Sequence, residues 1–282
     1  MAEILKGVPV TAALNEKLIE QASELKSNGI IPTLAIIRVG ENPGDISYEN
    51  GAVKRCEKIG IDVKKFILPN ALSVLDTIEK INSDKNIHGC LMLRPLPEKN
   101  IEKAACELLS PEKDVDCMTE KSLAKIFIGG SGFAPCTAQA CIELLDFYGV
   151  ELEGKNIAVI GRSLVIGKPV SMLLQNKNAT VTMCHSRTKN LAEICRKSEI
   201  IIAAIGRANF IDKNFVAAGQ IIIDVGINLD DNGKLCGDVN FAEVEPVVKA
   251  ITPVPAGVGA VTTAVLAKHV IEAAQKLKNL HE

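Results

Sequence analysis

The sequence predicts an α/β protein of two domains, each built on a parallel sheet. Three observations carry this. Short apolar runs rich in Ile, Val, Leu and Ala alternate with helix-periodic stretches along the chain. Aromatic residues make up only 3% of the sequence against 47% hydrophobic residues, so the core must be aliphatic, the usual filling of a sheet covered on both faces. The length, 282 residues, is long for one core and comfortable for two.

The elements follow in order. Leu14, Leu18, Ala22 and Leu25 share one face of a first helix, which Gly29 stops. TLAIIRV (33–39) reads as a buried strand, ISYENGAVKRCEKIG as a helix ending at Gly60, and IDVKKFIL (61–68) as a second strand. SVLDTIEKINSD supplies another helix and IHGCLML a third strand, after which RPLPEK (94–99) breaks the chain at the sheet's carboxyl edge. A polar stretch, SPEKDVDCMTEKSLAKIFIGGSGFAPC, separates the halves. Beyond it come the helix TAQACIELLDFYG, the strand KNIAVIGRS, a helix at 168–177, the strand ATVTMCHS, the helix NLAEICRKS, and the strands EIIIAAIG and QIIIDVGIN. This βαβαβ series resembles a nucleotide-binding half-fold. GVGAVTTAVLAKHVIEAAQKLKN closes the chain as one long helix.

Charge narrows the partners. Lys and Arg number 32 against 34 Asp and Glu, a net of −2, which argues against nucleic acid or an anionic membrane. No apolar run approaches a membrane span and the start carries no signal-peptide pattern, so a soluble cytoplasmic protein is expected. The nine cysteines contain no C-x-x-C and are expected to be reduced thiols. No metal site is expected. His88, His269 and His281 are isolated, without metal-ligand spacing, and are read as surface or satisfied core residues.

The chemistry concentrates at strand ends of the second half. VIGRSLVIGKP (159–169) follows a strand and opens a helix. It is not the G-x-G-x-x-G fingerprint, but Gly161 permits close approach, Arg162 brings charge and Ser163 a hydroxyl, beside the N–H groups of a helix start. NAD-binding folds usually carry an acid about 20 residues after the glycines, to hold the ribose 2′-hydroxyl. Here that stretch is Cys184-His185-Ser186-Arg187-Thr188. With an imidazole, a hydroxyl and a guanidinium in place of the acid, it suits a 2′-phosphate, so NADP is favoured. Gly206 in IGRAN, and Gly226 and Ile227 in DVGIN, end further strands on the same edge and are candidates to line the nicotinamide and its ribose.

SYENGAVKRCEKIGI, KDVDC, TPVPAGVGAVT, GRSLVIGKPV and CHSRT together resemble the methylenetetrahydrofolate dehydrogenase/cyclohydrolase family, over nearly the whole chain and in the family's order. The resemblance implies NADP-dependent oxidation of 5,10-methylenetetrahydrofolate to the 5,10-methenyl form in one-carbon metabolism that feeds purine biosynthesis. Many members then hydrolyse that product to 10-formyltetrahydrofolate. It implies a folate domain (1–120 plus 262–282, the last helix packing back on it), a Rossmann-type NADP domain (121–261) and a homodimer. Tyr48 corresponds to the tyrosine that stacks on or bonds the folate, and Asp116 to the aspartate gripping the pterin. Gly161, Arg162, Ser163, Ser186 and Ile227 match NADP contacts. PVPAGVG, with Pro255 and Gly257, matches the loop beside the folate, though Ala256 and Ala260 replace Gly and Pro. Leu93 and Pro95 belong to the corresponding strand end.

Two departures bear on function. The family's catalytic lysine follows the tyrosine by four residues, and here that position is Ala52. Lys54 cannot replace it, since six residues at about 100° each place it some 240° around a helix from Tyr48. Arg55 shares the face of Tyr48 but stays protonated and cannot act as a base. The family's hydrolytic glutamine position is Leu93. A working dehydrogenase with weak or lost cyclohydrolase activity is therefore expected, the alternative being a fully bifunctional enzyme with another base. A non-catalytic folate or nucleotide sensor is disfavoured by the retained Tyr48, Asp116 and cofactor loop. A shikimate-type dehydrogenase would need a Lys/Asp pair for which no placement is convincing.

Overall fold

The structure, a computed structural model, describes residues 1–279, with side chains through Lys276; His281 lies outside the described residues. In chain order the elements are β1 (Glu3–Ile4), α1 (Gly7–Ser27), β2 (Thr33–Val39), α2 (Pro43–Ile59), β3 (Asp62–Leu68), α3 (Val74–Ser83), β4 (Gly89–Met92), α4 (Lys99–Leu108) and α5 (Glu120–Phe127). They continue with α6 (Cys136–Phe147), β5 (Asn156–Ile160), α7 (Gly167–Gln175), β6 (Thr180–Cys184), α8 (Leu191–Lys197), β7 (Ile200–Ala203), β8 (Ile221–Asp224), β9 (Asn228–Leu229), β10 (Leu235–Cys236), α9 (Phe241–Val244), β11 (Ala250–Ile251) and α10 (Thr262–Asn279).

The chain divides into two compact units, Met1–Ala12 with Thr137–Thr262, and Ala13–Cys136 with the chain from Thr263 onward. The last helix thus belongs almost wholly to the second unit. The expected boundaries at 120 and 262 differ from this division in two segments. Residues 1–12 belong with the later strands, because β1 pairs in parallel with β11. Residues 121–136 stay with the earlier half, where the Cys136 N–H donates to Asp116 Oδ1 at 3.0 Å.

The first unit holds a six-stranded sheet in the order β1-β11-β8-β7-β5-β6, every adjacent pair parallel. Its strands are continuous aliphatic runs, such as Ile200–Ile202 and Ile221–Ile223, because helices cover both faces. From β5 the chain steps outward to β6, then returns to the other side of β5 for β7. That reversal opens a crevice at the carboxyl edge between β5 and β7.

The second unit holds a parallel sheet in the order β3-β2-β4, which reverses in the same way between β2 and β4. Right-handed crossovers put α2 and α3 on opposite faces. On one face Ala35, Ile37, Cys90 and Met92 pack with Val74, Ile78 and Ile81 of α3 and with Ala105 of α4. The other face meets α2, and an ion cluster fixes it there. Arg38 Nε of β2 lies 2.7 Å from Glu49 Oε2 of α2, and Lys65 Nζ of β3 lies 3.0 Å from Glu49 Oε1. Burial opposes ionisation of Glu49, but the hydrogen bonds from Arg38 and Lys65 outweigh it and hold the carboxyl below its usual range. Asn42 Oδ1 caps the start of α2 by accepting from Gly44 N and Asp45 N. Gly60, at φ +95°, ends it.

β1, β11, the β9–β10 hairpin, α4 and α5 were not legible in the pattern. The strands are two residues long, too short for an alternation to register, and α5 sits inside the stretch read as polar. The closing helix begins at Thr262 rather than at Gly257, because Val258–Ala260 form a separate 3₁₀ turn. His88 and His269 are buried core residues. His88 Nδ1 accepts from Thr33 N at 3.2 Å, and His269 Nδ1 lies 2.8 Å from Val115 O.

Removing Glu49 leaves the buried Arg38 uncompensated. Glu49→Ala is expected to destabilise the protein by about 3 kcal/mol, measured by chemical denaturation. Ala256 stands at φ +75°, a left-handed conformation that costs an L-residue about 1–2 kcal/mol. Ala256→Gly is expected to raise stability by up to about 1 kcal/mol in the same measurement, after the entropy of glycine in the unfolded chain is set against it.

Candidate functional site

In the six-stranded unit the loop after β5 lies at the strand-order reversal. Gly161 has φ +137°, and a Cβ there would fall 2.1 Å from Ala204 O at the end of β7. A Cβ on Gly167 would fall 2.2 Å from Gly161 O. Both glycines are therefore required by close backbone approach, which draws the loop tight against the first turn of α7. Ser163 Oγ accepts from Ile166 N (3.1 Å) and Gly167 N (3.5 Å). It closes the loop in the manner of a helix cap, leaving its own proton to donate. Arg162 and Ser163 are exposed.

The stretch after β6 forms a turn whose side chains hold its own backbone. His185 N donates to Thr188 Oγ1 (2.9 Å) and Arg187 N donates to His185 Nδ1 (3.1 Å). Ser186 and Arg187 are left exposed. His185 Nδ1 is thus engaged in the turn, and its other ring nitrogen is the one left for the ligand contact expected from the sequence.

Gly206, Gly226 and Ile227 end β7 and β8 as expected, and Ile227 is 68% exposed. The structure brings Gly226 and Ile227 together with Pro255 and Gly257 around one pocket of about 300 Å³, lined also by Asp224, Leu235 and Val254. Two carboxylates that the sequence reading passed over organise these loops. Asp238 accepts from Ile205 N (2.5 Å), Gly206 N (3.1 Å), Arg207 N (2.9 Å) and Asn228 Nδ2 (2.9 Å). Asp224 accepts from Gly226 N, Asp238 N and Val239 N, each at 3.0 Å. Burial pushes the Asp224 carboxyl up to about 6, the three N–H groups working against that shift and Asp238 adding to it. An aspartate ending the apolar run IIID, and another after the glycine in CGDVN, were the signals available.

In the three-stranded unit Tyr48 sits half-buried in the second turn of α2. Ala52, one turn on, is fully buried, on the face that Glu49 pins to the sheet. In the parallel register Ile36 opposes Leu91, so Arg38 and Leu93 extend the same face. Leu93 is 7% exposed. Alternation thus puts Ala52 and Leu93 on one side of the sheet, both apolar. Pro95 lies beyond, exposed, after a cis Arg94–Pro95 bond. Arg55 Nε reaches Thr263 Oγ1 at 3.4 Å.

The two aspartates of KDVDC have separate tasks. Asp114 is wholly buried and accepts from Met118 N (2.8 Å) and Thr119 N (2.9 Å), which folds the turn. Asp116 is half-buried, with one oxygen accepting from Cys136 N. Burial raises the Asp116 carboxyl above its usual range, opposed by the Cys136 N–H and by the positive charge of Arg94. Between these aspartates and Met118, Cys117 takes φ +53°, so the turn carries strain beside Asp116.

Among the described residues no group of three or more His, Cys, Asp or Glu side chains is arranged to hold a metal ion, and no helix is long and apolar enough to cross a membrane.

Comparison with known proteins agrees with this arrangement. A family model described as the tetrahydrofolate dehydrogenase/cyclohydrolase catalytic domain matches residues 5–116, and one described as the NAD(P)-binding domain of the same family matches 135–278. The bifunctional protein FolD of Carboxydothermus hydrogenoformans is 50% identical over 99% of this chain and 100% of its own. The crystal structure of the bifunctional FolD of Campylobacter jejuni superposes with a TM-score of 0.94 at 37% identity, covering 98% of this chain and 99% of its own. That of Trypanosoma brucei FolD, complexed with NADP cofactor and an inhibitor, gives 0.91 at 31% identity over 98% of each chain. Matched across nearly all its length, the chain belongs to the tetrahydrofolate dehydrogenase/cyclohydrolase family.

Proposed function

We propose that the protein is an NADP-dependent dehydrogenase that oxidises 5,10-methylenetetrahydrofolate to the 5,10-methenyl form, with a weak or absent cyclohydrolase step. The observation that carries the cofactor reading is the tight glycine loop at the strand-order reversal, combined with a β6 end that offers Ser186 and Arg187 where an NAD site offers an acid. The donor chemistry fits NADP. Arg162 and Ser163 suit the pyrophosphate, and Ser186 and Arg187 suit the 2′-phosphate. Bound there, NADP supplies the hydride acceptor. Gly206, Gly226 and Ile227 serve to line its nicotinamide end.

For the folate, Asp116 offers a half-buried carboxylate that accepts from Cys136 N through Oδ1 and retains acceptor capacity for the adjacent N–H donors of a pterin. Tyr48 on α2, Leu93 and Pro95 beyond β4, and Pro255 and Gly257 on the loop after β11 are the further folate contacts of this reading. Hydride transfer needs no base at the reacting carbon, since the N–C–N unit stabilises the developing cation. It needs the two carbons held face to face. Attack of water on the methenyl carbon is different, because it calls for a base or an oriented hydrogen bond. Ala52 and Leu93 supply neither.

A second reading rests on a specific finding. The relatives described above carry names that include both activities, which favours a fully bifunctional enzyme whose base lies elsewhere. A cytoplasmic homodimer accompanies both readings, on the strength of the family resemblance.

Supplying methylenetetrahydrofolate and NADP, and following methenyl and 10-formyl products separately, distinguishes the two. Methenyl product is expected to accumulate, its hydrolysis slower than in a lysine-bearing relative by about 10²- to 10⁴-fold. Hydrolysis keeping pace with oxidation establishes the bifunctional reading instead, and a protein that reduces no NADP is not a dehydrogenase. Ala52→Lys alone is expected to restore little hydrolysis while Leu93 remains. Because Asp116 must be ionised to accept the pterin donors and its carboxyl titrates above the usual range, folate KM is expected to rise on acidification earlier than for an ordinary aspartate. Asp116→Asn should raise KM at neutral pH by at least about tenfold, the worth of a charge-assisted hydrogen bond, and should remove the acid limb of the KM profile.

A further inference from the structure

We propose that Asp238 is a positioning residue for the nicotinamide end of the cofactor, acting through the loops that follow β7 and β8. The inference rests on the cofactor reading above and assigns a task to a residue that reading does not use.

Asp238 is fully buried, and among the described residues no cation pairs with it. Arg207, whose N–H donates to Asp238 Oδ1, has its guanidinium 4.7 Å over the Phe210 ring instead. A buried carboxylate without a cation is costly unless N–H donors surround it. Here both oxygens are used. Oδ2 accepts from Ile205 N and Gly206 N, while Oδ1 accepts from Gly206 N, Arg207 N and Asn228 Nδ2. Three consecutive N–H groups of the loop after β7 therefore converge on one side chain, and the hairpin after β8 is tied to the same side chain through Asn228. An asparagine of equal size keeps only one acceptor oxygen and sets an NH₂ group against an N–H.

Asp238 is itself held from behind. Asp224, the last residue of β8, accepts from the N–H groups of Asp238 and Val239. The Asp224 N–H in turn donates to Thr252 Oγ1 at 2.7 Å, just before the loop that contains Pro255 and Gly257. The packing leaves no room for a side chain beside either carboxylate. A Cβ on Gly226 would fall 2.4 Å from Asp238 Oδ1, and one on Gly237 would fall 1.9 Å from Asp224 Oδ2. Gly226 is thus fixed by Asp238 and, with Ile227, lines the 300 Å³ pocket. The loop of Arg162 and the turn at 185–188 make no hydrogen bond to Asp238. The influence of the residue is accordingly confined to one end of the cofactor.

That confinement is what the test reads. Binding of NADP and of 2′-phospho-ADP-ribose, which lacks the nicotinamide, is measured by titration calorimetry on the full chain and on Asp238→Asn and Asn228→Ala. The second variant deletes one hydrogen bond of a half-buried side chain and guards against misfolding of the first. Asp238→Asn is expected to weaken NADP about tenfold and Asn228→Ala about threefold, in line with one or two lost hydrogen bonds. Both should leave 2′-phospho-ADP-ribose within about twofold of the unaltered chain. Equal losses for the two ligands, the signature of a general structural role, or no loss for either, overturns the inference alone. Failure of the unaltered chain to bind either ligand overturns the cofactor reading and the inference together.

Discussion

The feature on which the cofactor unit depends is the contact between two backbones at the strand-order reversal. Gly161 meets Ala204 O, and Gly167 meets Gly161 O, at separations that exclude a Cβ from either glycine. A parallel sheet whose order reverses must part its loops at that one place on its carboxyl edge. Whether the parting makes a usable site depends on how closely the chain can turn there. With glycine at both positions the loop stays flush with β7 and against the start of α7, and the exposed Arg162 and Ser163 side chains are what it presents to an anion. The remaining polar contacts at this edge then maintain the shape. Ser163 closes the phosphate loop, His185 and Thr188 close the next turn, and Asp238 gathers the third.

Carboxylates divide into those that build and those that bind, and their surroundings separate them. Glu49, Asp114 and Asp238 have their oxygens taken up by donors of the chain itself. Asp116 keeps part of its acceptor capacity unspent and is only half-buried. Its raised titration has a thermodynamic consequence. A group whose folded-state titration lies above its unfolded value costs folding free energy as pH rises through that interval, because the unfolded carboxyl ionises first. At neutral pH the protein therefore bears a penalty at Asp116, as it does at Asp224. A hydrogen-bond donor supplied to Asp116 by a ligand would offset part of that cost, which would link ligand binding to stability.

Much of this was legible in the residues. Runs such as TLAIIRV, IIIA and IIID gave the parallel strands, because burial on both faces demands continuous aliphatic sequence. The glycines of VIGRSLVIGKP and the missing acid after β6 led to the cofactor loop. What was not legible depends on partners distant in sequence. β1 and β11 are two residues each and form only because they find one another across 247 positions, Glu3 against Ala250. Asp224 and Asp238 gave no local signal, since an aspartate at a strand end is ordinary until three loops are seen to converge on it. The bond from Arg187 N to His185 Nδ1 likewise gives no signal in the neighbouring sequence. Cys117 and Ala256 show the converse. Both adopt left-handed backbone that glycine would take more readily, a cost visible only in dihedral angles.

The apolar residues at positions 52 and 93 suit one another physically. Alternation along β2 and β4, and the anchoring of α2 by Glu49, place both residues on the side of the sheet that α2 covers. A lysine at position 52 would bring an ammonium group into surroundings where Ala52 and Leu93 are both almost wholly excluded from water. An ammonium so placed needs acceptors, and without them burial lowers its titration until it loses its proton or forces the side chain outward. Leu93 offers no acceptor. Once either polar group is gone, the other becomes a buried donor or acceptor lacking its partner, and replacing it with an apolar side chain relieves that cost. The cofactor edge and Asp116 lie outside this relation, because their donors and acceptors belong to other elements. Asp116 and the loops that follow β5, β6 and β7 therefore keep their own hydrogen bonds whichever side chains stand at positions 52 and 93.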